Sequence, residues 1–255
     1  MIELPWIIAN SAVFLAAVLQ AATGVGLGMI VGPALILVMG SKSAIQVAII
    51  LNLGLSILLL PGEVKEIHWP SLKILLIGTV IGMPAGLLLI SMLDLTGLKL
   101  FAAITVSLLG AQLIHNRYRQ STVGTAQEAN AMILPGASIA SGIMTSSLAM
   151  PGPVAMWALT RKGIKAEQIR ATLRGLFVIS YALALLAHAL RGLDWGLVMD
   201  ASLDLGIALA AGTAIGFFVK RRLPEWVLSN LLLGMLLVMG LSLFAKSLLE
   251  ILERA

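Results

Sequence analysis

No charged side chain stands between Glu3 and Lys42. An apolar run of that length suits the hydrocarbon core of a bilayer, ~30 Å thick. Within it, the stretch Gln20 to Pro33 holds Gly24, Gly26, Gly28, Gly32 and Pro33. Glycine loosens the backbone and proline removes a donor, so one continuous helix is poorly served there. A second stretch, Ser138 to Pro153, follows the same plan: Ser141-Gly142, then Thr145-Ser146-Ser147, then Pro151-Gly152-Pro153. In both, a short apolar helix breaks at small or hydroxylated residues and restarts near a Gly-Pro pair. Paired interruptions in the two halves of a membrane chain point to a transporter binding site.

The rest of the composition agrees. The chain is 59% hydrophobic and 11% charged, with mean hydropathy +1.02. Soluble domains are about half apolar and about a quarter charged. No alternating pattern suggests a barrel, so the spanning elements are helices. Without cysteine there are no disulfides, thiolate metal sites or cysteine nucleophiles. The net charge of +5 lies in short connections and so reports topology rather than nucleic-acid binding. The N-terminus lacks a basic region and a small-residue cleavage site, so the first helix is expected to be retained. There is no Walker loop, no His-Glu-x-x-His and no Ser/His/Asp set, and the three histidines lie near predicted helix ends. No enzyme activity, catalytic residue, metal or cofactor is expected, and no nucleic-acid partner.

The expected fold is all-α. It is a polytopic helical membrane protein of two inverted repeats, each a broken or re-entrant hairpin followed by three transmembrane helices. The first repeat, 1–119, has its hairpin at 5–40 and helices at 43–60, 69–92 and 95–115. A polar cytoplasmic linker, 120–130, joins it to the second repeat, 131–255. There the hairpin is 131–162, broken at Thr145, and the helices are 166–190, 195–219 and 224–249. Gly82, Gly86 and Gly110 recur as Gly212, Gly216 and Gly240 at one constant offset, and Trp69 and Trp195 open matching helices. The Gly-x3-Gly pairs read as close helix packing.

Each hairpin returns the chain to its starting side, so parity sets the topology. The linker side collects Lys65, Lys73, Arg117, Arg119, Arg161, Lys162, Lys165, Arg170, Arg174, Lys220, Arg221 and Arg222. The other side has Lys42, Lys99, Arg191, Lys246 and Arg254. The basic excess places the linker in the cytoplasm and both termini outside.

An anion inside such a protein has lost its water and needs donors. The N-terminus of a half-helix supplies free amides and the positive end of a dipole. Gly24, Gly26 and Gly28 let an anion approach that backbone, and Thr145, Ser146 and Ser147 can add hydroxyls. The competing reading is that both breaks only permit tight packing. Arg174 sits about two turns into its helix, where its planar fork suits a sulfonate, sulfite or carboxylate. It can equally snorkel to the interface. Arg170, one turn earlier, reads mainly as an interfacial cation. Asn52 and Gln20 are amides that either touch substrate or bond between helices. His188 reads as an interfacial histidine; a role in proton coupling requires burial and a partner. Asp200 and Asp204, one turn apart, are a weaker candidate for a proton or cation site.

The signature Gly24-x-Gly26-x-Gly28-x4-Pro33, with Ser141-Gly142, Gly152-Pro153 and Ile169-Arg170-Ala171-Thr172, resembles the TauE/SafE sulfite-exporter family, also called the toluene-sulfonate uptake permeases. The resemblance covers almost the whole chain through repeat order, length and motifs. It implies a multi-pass secondary transporter of the inner membrane, an exporter of sulfite, organosulfonate or a related small organic anion. Access is expected to alternate around the two half-helix N-termini. The implied partners are that anion, the lipid bilayer and a proton or sodium as coupling ion, with a homodimer left open. The second break departs from the family, which usually has glycine where this chain has Thr145-Ser146-Ser147-Leu-Ala-Met-Pro151. That leaves the particular anion open. The alternatives are a passive anion channel or a permease for small carboxylates.

Overall fold

A computed structural model describes residues 4–24, 26–119 and 132–253. The linker expected at 120–130 lies outside the described residues. Among those described there is no strand. The helices are α1 (Leu4–Thr23), α2 (Leu27–Met39), α3 (Ser43–Leu59), α4 (Trp69–Met92), α5 (Leu95–Arg119), α6 (Ile133–Leu148), α7 (Gly152–Arg161), α8 (Ala166–Ala189), α9 (Trp195–Arg222) and α10 (Glu225–Leu252), with a 3₁₀ turn at Val64–Glu66. Helices α5 and α9 run past their predicted ends at 115 and 219 into basic residues. Cations suit a helix C-terminus, so charge there does not stop the helix. Asp94 and Asp194 start α5 and α9: their carboxylates accept the amides of Gly97 at 2.8 Å and Leu197 at 3.2 Å.

Six helices (α1, α4, α5, α8, α9 and α10) are long and apolar enough to cross a membrane. Ile77 and Ile81 of α4, Ile207 and Phe218 of α9, and Leu241 of α10 are exposed. That much bare hydrocarbon needs lipid against it. The return arms of the hairpins are short. Helix α2 has 13 residues and α7 has 10, about 20 and 15 Å at 1.5 Å per residue.

The elements form two compact units that each draw on both halves of the sequence. The first unit comprises Met1–Ala44, Ile90–Val123 and Leu203–Ala255. In it α5 lies along α10, with Leu98, Ala102, Val106 and Leu109 facing inward on one and Leu228, Leu232, Leu236 and Leu243 on the other. This is the spacing of one helical face. Lys99 and Thr96 both hold the Glu250 carboxylate at the end of that pair, Thr96 at 2.8 Å. Gly212 and Gly216 of α9 stand over the carbonyls of Phe14 and Val18 on α1, with no room for a Cβ at either.

The second unit comprises Ile45–Leu89 and Gly124–Ser202. Here α4 crosses α6 as α9 crosses α1. Gly82 and Gly86 stand over the carbonyls of Ile139 and Ile143, and Gly142 returns the contact against Thr79. Glycine at such crossings lets the backbones touch through Cα–H···O contacts. The pairs match by number: Ile139 and Ile143 follow Phe14 and Val18 at one spacing of 125 (139 less 14, 143 less 18). Ala171, Leu173, Leu176, Phe177 and Tyr181 of α8 fill the core.

Candidate functional site

The first break lies between α1 and α2. Gly24 is left-handed (φ 85°) and Gly26, at φ 148°, caps α2. A Cβ at Gly26 would come within 3.1 Å of Leu19 Cβ besides facing that φ. Gln20, expected as a substrate or interhelical amide, spans the break itself. Its Nε2 donates to Gly24 O at 3.1 Å and its Oε1 accepts the amide of Leu27 at 3.2 Å. It is buried, so it satisfies two backbone groups that water does not reach. Gly28 stands in the first turn of α2, half-buried; there Gln20 takes the Leu27 amide and Gly26 O those of Met29 and Ile30, both at 3.1 Å.

The second break lies three residues beyond the expected one. Helix α6 runs through Thr145, Ser146 and Ser147 and ends at Leu148. The cause is the hydroxyls. Thr145 donates to Ser141 O at 2.6 Å and Ser147 to Ile143 O at 2.6 Å, one turn back on the same helix. Such back-bonding satisfies a buried hydroxyl within the helix, so these residues need not end it. Ser146 donates to Met83 O at 2.9 Å, with Gly142 O at 3.1 Å. A hydroxyl has one proton, so these three now present lone pairs rather than protons to any anion.

The chain leaves α6 at Ala149, the non-glycine residue with positive φ (57°) among those described. Ala149 and the α7 cap Pro151 follow Gly24 and Gly26 at the same spacing of 125 (149 less 24, 151 less 26). This turn is tied once from outside the hairpin and once from within it. Tyr181 donates to Ala149 O at 2.9 Å and Ser141 to Pro151 O at 2.7 Å. Ala149, Met150 and Tyr181 are buried. Pro153 removes one amide from the first turn of α7.

His188 was expected at an interface. It is buried, and its Nε2–H donates to Ser146 O at 2.9 Å. Asn52 is buried in α3 and donates to its own helix at Ala48 O, 2.8 Å. Asp200 and Asp204 are both exposed on α9.

Arg174 is buried, 5% exposed, and does not snorkel. Its Nη1 donates to the Glu63 carboxylate at 2.7 Å and to Leu59 O, the end of α3, at 3.3 Å. Its Nε has no partner among the described residues, nor have Nε of Arg170 and Oε2 of Glu63. Glu63, in the turn after α3, was not singled out from the sequence. The sequence offered little signal, since Glu63 shares its polar turn with Lys65 and Glu66. Tyr181 carried no signal at all, because only the folded α8 aims its hydroxyl at the break. Thus the second unit holds Asn52, Thr145, Ser146, Ser147 and Arg174, while Gln20, Gly24, Gly26 and Gly28 lie in the first.

Buried arginine and half-helix amides suit a small oxyanion. The sequence matches the protein family described as "Sulfite exporter TauE/SafE" over residues 10–243. No curated protein and no solved structure matches it. With a family match over all but the ends, and six helices fit to cross a bilayer, this chain belongs to the TauE/SafE sulfite-exporter family of membrane transporters.

Proposed function

We propose that the chain is a secondary transporter that exports sulfite, an organosulfonate or a related small organic anion across the cytoplasmic membrane. Each break offers N-terminal amides of α2 or α7 to the anion, and access alternates between the two sides. Arg174 supplies the fixed positive charge. The halves are inverted repeats with the 120–130 linker in the cytoplasm and both termini outside, and flux is coupled to a proton or sodium gradient.

The family carries the transporter class. The observation that carries the mechanism is the agreement between the breaks: a left-handed residue, a cap and a new helix, repeated at a spacing of 125 (149 less 24, 151 less 26). Packing alone does not require a left-handed residue and a helix start to recur at that spacing, since the Gly-x3-Gly contacts already hold the first arm of each hairpin. The test is sulfite flux into proteoliposomes of the purified protein, with and without imposed proton or sodium gradients. Saturable flux that follows one gradient is expected. Flux proportional to concentration and indifferent to both gradients would make the protein a channel. Flux of small carboxylates but not sulfite would replace the substrate.

A further inference from the structure

We propose that Glu63 is a tethered stand-in for the substrate: its carboxylate occupies the anion position on Arg174 in the unloaded protein, and the transported anion displaces it. This rests on the reading of Arg174 as the anion's cation.

The charges do not balance around Arg174. Arg170 lies one turn before it on the same helix and close enough to repel it, and Glu63 is the carboxylate paired with Arg174 among the described residues. The grip is also incomplete. Glu63 binds Nη1 through one oxygen, while its second oxygen and both arginine Nε groups stay buried and unpartnered among the described residues. A carboxylate held for structure alone would take the two-pronged arrangement that guanidinium favours. Buried donors left open are costly. A sulfite or sulfonate brings three oxygens where Glu63 brings two. It can take the open Nε edge of Arg174 that Glu63 leaves without a partner.

Position supports exchange. The Arg174 side chain is 6% exposed and that of Glu63 is 23% exposed, so the carboxylate is the more open partner. It hangs from the turn after α3 rather than from a helix. Elsewhere on that turn of α8, Thr172 accepts the amide of His68 at 3.0 Å, and Lys162 reaches Ser71 at 3.3 Å. That end of the unit is basic, which draws small anions to the carboxylate they would replace.

The alternative is a plain clamp holding the turn onto α8, and binding measurements separate the two. The probes are sulfite and methanesulfonate, titrated calorimetrically into purified wild type, Glu63→Gln and Glu63→Asp. Removing the competitor should tighten anion binding in Glu63→Gln roughly tenfold to a hundredfold, as loss of a competing charged hydrogen bond implies. Glu63→Asp keeps the charge but withdraws it by one methylene, so it should fall between. This variant carries the test if Glu63→Gln does not stay folded. Formate, a free carboxylate, should compete with sulfite more strongly in Glu63→Gln than in wild type. Equal or weaker binding in both variants overturns the stand-in and leaves the transporter reading intact. If wild type and variants alike bind neither probe, the substrate class fails, and the inference with it.

Discussion

Ala149 holds a left-handed conformation that a Cβ disfavours by roughly 1–2 kcal/mol. Tyr181 and the returning amides of Ala149 and Met150, at 3.0 and 3.1 Å, keep it there. Ala149→Gly relieves the strain but adds chain entropy in the unfolded state, worth about 0.5–1 kcal/mol. A net gain of about 0.5–1 kcal/mol is expected, read as a higher midpoint in thermal or denaturant unfolding in detergent; an unchanged or lower midpoint contradicts it. Gln20→Leu should move the other way. It strips partners from Leu27 N–H and Gly24 O, both inside the hairpin, at about 1–3 kcal/mol. Stability equal to wild type would show that water serves the break. At this scale the sequence was partly legible. That Gln20, Arg174 and the hydroxyls of 145–147 matter could be read from polar residues in apolar surroundings. Which atoms they bind could not, because Gln20 turns back on its own hairpin and the hydroxyls on their own helix. Glu63 was missed because an acid in a polar turn looks solvated until α8 brings Arg174 beside it.

The helices themselves were legible because apolar length, glycine pairs and basic ends are local signals. The end of α6 was not, since a Ser or Thr hydroxyl can either compete with the helix or share the carbonyl a turn back, and the sequence does not say which. The Gly-x3-Gly pairs were read as packing, and the structure gives them neighbours: α6 for α4, and α1 for α9. The sequence shows that a helix carries a small face but not which helix it meets. Gly82→Leu should therefore be among the most disruptive changes in an apolar stretch. Its side chain would enter the carbonyl of Ile139, and overpacking costs about 1–3 kcal/mol even where neighbours yield. We expect loss of monodisperse protein on size exclusion or a much lower melting temperature. Gly110→Leu, whose nearest neighbours are Leu233 and Leu237 side chains at 3.9 Å, should be milder. Equal tolerance of the two would contradict the close crossing of α4 and α6.

For the molecule as a whole, the family was legible from two motifs in fixed order, and five of the six apolar spans from hydropathy; the sixth, α1, was read as a hairpin arm, while α3, read as a transmembrane helix, has 17 residues. The grouping of α1 with α9 and α10, and of α6 with α4, was not, because contacts between distant segments leave no trace in a single chain. Sidedness rests on the basic residues, and the cysteine-free chain makes it directly testable. Gly62 and Gly196 are exposed and have room for a side chain. Cysteine at 196 should react with an impermeant thiol reagent in right-side-out vesicles, and cysteine at 62 only after the membrane is opened; the reverse would invert the topology. The central claim is that an anion is handled at the broken hairpins. Gly26 is a poor place to test it, since any side chain there meets both Leu19 and an unfavourable φ. Gly28 is helical and half-buried in the first turn of α2, so valine fits the backbone while crowding the approach to that turn. The measurement is initial sulfite flux in proteoliposomes for wild type and Gly28→Val, matched for inserted protein and melting temperature. Flux should fall at least tenfold in the variant; flux at the wild-type rate would contradict the account.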